Sequence, residues 1–166
     1  MAILIDGFNL IYKFPDLEEM MYMHLLEEAR AGLLEKLREY HSIKKTDIRV
    51  VFDGKKRPSY TTKSERVGTI HVYYSLDYSA DYLIKQFIKK DLNPRMTTVV
   101  TSDKDIINYV KRFKARVIKS EDFADTMTRE IEEYHAVSLP EKEENPEVSP
   151  EEVSFWEKLF KTRGKK

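Results

Sequence analysis

Short apolar, β-rich runs alternate along the chain with longer stretches of helical period. The segment "AILID" (residues 2–6) reads as a buried strand. From about Asp16 to Tyr40, the residues Met20, Met23, Leu26, Leu33, Leu34 and Leu37 recur at helical spacings, so one long amphipathic helix is expected there. "IRVVFD" (48–53) and "TIHVYY" (69–74) are a second and a third strand, separated by a polar, basic loop. In "SADYLIKQFIKKD", Ala80, Leu83, Ile84, Phe87 and Ile88 share one helical face. "MTTVVTSD" (96–103) is a further strand, and its closing Ser-Asp pair is placed to cap the helix "KDIINYVKRF". "ARVIK" (115–119) gives the last short strand, and a final helix runs from about Glu121 to Tyr134.

Strands that alternate with helices need crossover connections, which produce a mainly parallel sheet covered on both faces. The expected fold is therefore an α/β, three-layer, Rossmann-like domain over residues 1–136. Beyond it the composition shifts. Residues 137–149 form an acidic linker with prolines, and residues 150–166 are expected to form a C-terminal amphipathic helix with a basic tail. Ser149 is placed as its cap and Pro150 at its first position, while Val153, Trp156, Leu159 and Phe160 supply an apolar stripe.

The chain has 166 residues, enough for one domain with a sizeable core. It has no cysteine, which excludes disulfides and thiolate metal sites and is compatible with a reducing cytoplasm. No apolar run approaches the roughly 20 residues needed to cross a bilayer. Asp6 interrupts what would be the apolar region of a signal peptide, so a cytoplasmic protein without membrane contact is expected. Formal net charge is zero, but the charges are segregated. Between Lys44 and Arg66 stand eight basic residues against three acidic ones, while Glu141 to Glu152 holds six glutamates against one lysine.

In an open parallel sheet, ligands bind beyond the carboxyl ends of the strands. The residues expected there are Asp6 with Asn9, then Asp53, then Asp103 with Asp105, and Asp81 at the start of a helix on the same edge. Singly, each is explained by ordinary turn, capping or helix-dipole chemistry. Together they bring carboxylates from separate segments to one rim, where like charges repel unless a cation neutralises them. Hard oxygen donors without His or Cys select Mg²⁺ or Mn²⁺. The natural chemistry of such a centre is hydrolysis of a phosphodiester. The loop "DGKKRPSYTTKSER" adds Lys55, Lys56, Arg57, Lys63 and Arg66 on the same rim, with Tyr60 interleaved as a base-stacking candidate.

Other chemistries find little support. No G-x-G-x-x-G or Walker A loop is present, so a nucleotide cofactor is not expected. Neither a G-x-S-x-G elbow nor H-E-x-x-H occurs, and His24, His41, His71 and His135 are scattered. Three readings remain: an RNA endonuclease, a non-catalytic RNA- or ribosome-binding module on the same fold, and a small-molecule phosphoesterase. The long basic loop argues against the last.

The ordered set "ILIDGFNLIY", "VVFDG", "VYYSLDYSADYLIKQFI" and "VVTSDKDIINYVKRFKARVIKSEDF", with the closing Trp156 and Phe160, resembles the NYN branch of the PIN-like nucleases, and within it the YacP-like proteins. The resemblance implies a PIN-like fold and divalent-metal-dependent endoribonuclease activity, with mRNA cleaved in association with the ribosome. On the matching positions it implies Asp6, Asp81 and Asp103 as metal-binding acids, with Asn9 and Asp105 assisting. One departure stands out. Relatives commonly show two consecutive acids after the alanine, whereas here Asp81 is followed by Tyr82.

Overall fold

A computed structural model of the chain describes residues 1–54, 64–76 and 78–138. Six strands, β1 (Ala2–Asp6), β2 (Asp47–Asp53), β3 (Ser64–Val67), β4 (Ile70–Ser75), β5 (Thr97–Val100) and β6 (Arg116–Ile118), form one sheet in the order β3-β4-β2-β1-β5-β6. All neighbours are parallel except β3 and β4, which form an antiparallel hairpin through Gly68 in the left-handed region (φ 63°). Among the described residues six α-helices accompany them: α1 (Gly7–Ile11), α2 (Pro15–Tyr22), α3 (Leu26–Lys44), α4 (Ala80–Lys90), α5 (Lys104–Lys111) and α6 (Ser120–Ser138).

The period-2 geometry of a strand sends alternate side chains to opposite faces, and β1 shows the consequence. Ile3 and Ile5 join Leu10, Ile11, Leu33, Leu37, Phe123 and Met127 in one core, beneath α1, α3 and α6. Leu4 points the other way, into a second core with Ile84 and Ile88 of α4 and Ile106 and Val110 of α5. The expected three-layer α/β architecture is what these two cores describe. The face Ala80, Leu83, Ile84, Phe87 and Ile88 packs into the second core as its spacing requires.

The expected single helix from Asp16 to Tyr40 is two. His24 takes a left-handed conformation (φ 61°), and the N–H groups of His24 and Leu25 donate to the carbonyls of Met21 (3.1 Å) and Met20 (2.8 Å). This pairing closes the end of α2 and lets α3 leave in a new direction. The apolar period continues across the break, which hid it. A second difference lies in the basic loop: Ser64–Val67 is strand β3, not loop.

The compact unit Met1–Ile131 holds every element above except the end of α6. The second unit, Glu132–Lys166, is described only through Ser138, so most of the proposed linker and the terminal helix at 150–166 lie outside the described residues.

Candidate active site

The chain leaves β1 for β2 on one side of the sheet and later reaches β5 on the other. The crevice beyond β1 and β5 is thus the point where strand order reverses. Asp6 ends β1 there, and Thr101, Ser102 and Asp103 follow β5. Gly7 allows the tight exit from β1: a Cβ at that position would meet the Phe52 ring at 2.4 Å and the Val51 carbonyl at 3.0 Å. The glycine after Asp6 serves close packing against β2.

Asp103 is the N-cap of α5, its side chain accepting from the backbone N–H groups of Asp105 (2.8 Å) and Ile106 (3.5 Å). Ser102, the other half of the expected cap, donates its hydroxyl to Glu121 at 2.5 Å instead. Thr101, fully buried, ties the two acids together. Its hydroxyl donates to the Asp6 carboxylate (3.0 Å) and accepts from the Asp103 N–H (3.1 Å). Asn9 uses its side-chain oxygen to accept from the Ser102 N–H (2.9 Å) and the Ser120 hydroxyl (2.6 Å). It thereby pins α1, the loop after β5 and the start of α6 to one another.

Asp81 stands in the first turn of α4, beyond the N-cap Ser79, whose hydroxyl accepts from the Tyr82 N–H at 3.1 Å. Lys85, one turn on, places its Nζ 3.0 Å from Asp81 and 2.5 Å from Asp105. A single ammonium therefore bridges α4 and α5 at the rim. The hydrogen bond to Asp105 raises the pKa of Lys85, and the same bond lowers that of Asp105.

Asp6 behaves differently. Burial pushes its carboxyl up to about 6, and repulsion from Asp103 and Asp81 adds to the rise, while the Thr101 hydroxyl and the Asn9 backbone amide oppose it. Three acids from distant segments are thus electrostatically coupled around one crevice. Asp53 ends β2 one strand away from Asp6.

The basic residues divide. Lys55, Lys56, Arg57, Tyr60 and Lys63 lie outside the described residues. Arg66 was expected in a loop on the acidic rim, and the register corrects that. Arg66 pairs with His71 on the edge hairpin, level with Arg49 and Leu4, two residues below Asp6 and three strands across from it. Its guanidinium lies 2.9 Å from the His71 ring nitrogen. Sequence reasoning also missed Thr101, Ser120 and Lys85. Only Lys85 left a signal, as an Asp-Lys pair four residues apart.

The model of the YacP-like NYN domain matches residues 3–161. The chain belongs to that family. A comparison with curated proteins returned no match. Among solved structures, the crystal structure of Rae1 (YacP) from Bacillus subtilis is 23% identical, covers 99% of this chain and 92% of its own, and superposes with a TM-score of 0.66. A point mutant of the same protein is 23% identical over 83% of this chain and 84% of its own, with a TM-score of 0.65. At that identity the likeness shows the fold, which is PIN-like.

The NYN domains are a PIN-like nuclease family, and such nucleases typically use divalent metals. The donors around this YacP-like crevice suit a hard cation in kind, since they are carboxylate oxygens, and burial first, then the charges of Asp103 and Asp81, raise the Asp6 pKa. Among the described residues, however, no three acidic or histidine side chains group closely enough to hold an ion as they stand. Lys85 supplies positive charge to two of the acids.

Proposed function

We propose that this chain is a divalent-metal-dependent endoribonuclease that cleaves RNA phosphodiesters, with mRNA as its substrate and the ribosome as its setting in the cytoplasm. The observation that supports the reading is that the charges of Asp103 and Asp81, from distant segments, are both felt at the Asp6 carboxyl beside the strand-order reversal, where burial is the larger cause of its raised pKa. In this reading Asp6, Asp81 and Asp103 hold Mg²⁺ or Mn²⁺. Bound there, the cation supplies an acidified water and charge stabilisation on the phosphate oxygens.

The protein's own groups do the rest. Thr101 fixes the Asp6 carboxylate and holds the Asp103 backbone in register with it. Asn9 locks the loop after β5 against α6, so the two acids stay aimed at one place. Asp105, tied to Lys85, is assigned with Asn9 to assist the three acids. Lys55, Lys56, Arg57, Tyr60 and Lys63 are assigned to grip the RNA backbone and a base. Arg66 is the weaker member of that set, because it is engaged with His71 at the sheet edge.

The alternative, a non-catalytic RNA- or ribosome-binding module, draws on one observation: Lys85 pairs with both Asp81 and Asp105. The deciding experiment incubates purified protein with structured and translating mRNA, with Mn²⁺ or EDTA, beside Asp6→Asn and Asp103→Asn. Metal-dependent cuts with 5′-phosphate ends, lost in both variants, are expected. Cleavage that survives EDTA, or variants as active as the parent, would overturn the nuclease reading. Ribosome binding without cleavage would establish the module.

A further inference from the structure

Tyr82 follows Asp81 in the first turn of α4 and faces away from it. Tyr78 and Tyr82 stand side by side at the start of α4, ring centroids 4.5 Å apart and planes inclined by 34°. They are 59% and 42% exposed, unusual for two packed aromatic rings. They border a cleft of about 340 Å³ whose wall continues down α4 through Leu83, Gln86 and Lys90.

α4 thus presents two neighbouring faces. One carries Asp81 and Lys85 toward Asp105. The other, beginning at the very next residue, carries Tyr82, Gln86 and Lys90 along the cleft. Flat exposed rings offer a stacking surface, Gln86 offers both a donor and an acceptor for a base edge, and Lys90 offers charge for a phosphate. A packing role alone would leave the rings turned inward.

We propose that the Tyr78–Tyr82 cleft is a nucleobase subsite, which stacks a base of single-stranded RNA flanking the bond presented to Asp6, Asp81 and Asp103. The inference deepens the nuclease reading and rests on it for the identity of the ligand.

The test measures binding apart from cleavage. Single-stranded RNA carrying 2-aminopurine is titrated with the full-length protein in EDTA, and both affinity and fluorescence quenching are read. Tyr78→Ala and Tyr82→Ala are each expected to weaken binding roughly 5- to 100-fold and abolish the quench, while Tyr82→Trp retains both. Affinity for inorganic polyphosphate, which has no bases, is expected to stay within about twofold. Circular dichroism checks that the alanine variants fold, and if one does not, Tyr82→Ser or Tyr78→Ser carries the same expectation.

Alanine variants that bind and quench like the parent would overturn the subsite, even if Mn²⁺-dependent cleavage is normal. Failure of the parent to bind RNA would overturn it as well. Quenching that depends on the tyrosines in a protein that never cleaves would leave the subsite standing and remove the nuclease reading instead.

Discussion

The Thr101 hydroxyl donates to the Asp6 carboxylate at 3.0 Å, joining residues that are 95 positions apart in sequence. The same oxygen accepts from the Asp103 N–H, so removing it disturbs two acids at once. Thr101→Val keeps the shape but leaves the half-buried Asp103 amide without that acceptor, a loss of about 1–2 kcal/mol in stability. It also moves the Asp6 pKa further upward, because the lost hydrogen bond favoured the charged form. Thr101→Ser restores both. Urea denaturation of the three proteins, with Asp6 followed by carboxyl NMR, checks the expectation; a valine variant titrating like the parent would count against it.

Asp6 makes stability depend on pH in an identifiable window. Its carboxyl holds a proton up to about pH 6 in the folded protein, against 3.8 in its reference state. The favourable contribution of that extra proton is fully present below about pH 4 and is lost as the pH rises through 6. At neutral pH the ionised group therefore costs the metal-free fold about 1–3 kcal/mol, after allowance for its partial contact with solvent. Asp6→Asn is expected to be more stable than the parent by that amount at pH 7.5 in EDTA, and the advantage should disappear near pH 4. Thermal melts across the range decide it. A variant less stable than the parent at pH 7.5 would contradict the assignment.

Gly7→Ala places a methyl group against Phe52 and the Val51 carbonyl. Phe52 is fully buried and packs edge-on to Phe8, with ring centroids 5.0 Å apart, so it has little room to yield. The expected cost is about 1–3 kcal/mol, with α1 displaced from β2. Because Asp6 and Asn9 flank this residue, cleavage is expected to fall by more than the loss of folded protein explains. Comparing specific activity per folded molecule with the melting temperature separates the two effects.

On the proposed reading, Lys85, which pairs with Asp81 and Asp105, competes with the cation for them. Lys85→Met removes that competitor and a positive charge from the rim. Calorimetric titration with Mn²⁺ is expected to show tighter binding than in the parent, and the melting temperature to change little, since exposed ion pairs contribute weakly to stability. Unchanged or weaker Mn²⁺ affinity would show that Lys85 supports the acids rather than blocks them.

Much of this site could be read before any coordinates. Parallel strands all end on one side of a sheet, so the acids that close "AILID" and "MTTVVTSD" had to share a rim once the alternation of elements was recognised. The Asp103 cap was legible because capping is a local exchange of hydrogen bonds within one turn. The helix break at His24 was not, since the apolar period of α2 carries on into α3 and a left-handed residue leaves no mark on hydrophobicity. β3 escaped notice for the opposite reason: as an exposed edge strand, "SERV" buries no face and shows no alternation.

The sequence by itself determined the α/β order of elements, the two-faced core and the carboxylates at the strand ends, because these depend on side-chain periodicity and on local backbone chemistry. Only the tertiary structure decided which partners those carboxylates meet. Thr101 beneath Asp6, Asn9 holding Ser120 from 111 residues away, Lys85 between two helices and the Tyr78–Tyr82 cleft arise from the crossing of distant segments. Their geometry depends on strand register and helix docking, which are set by the packing of the whole core and written in no single stretch of the chain.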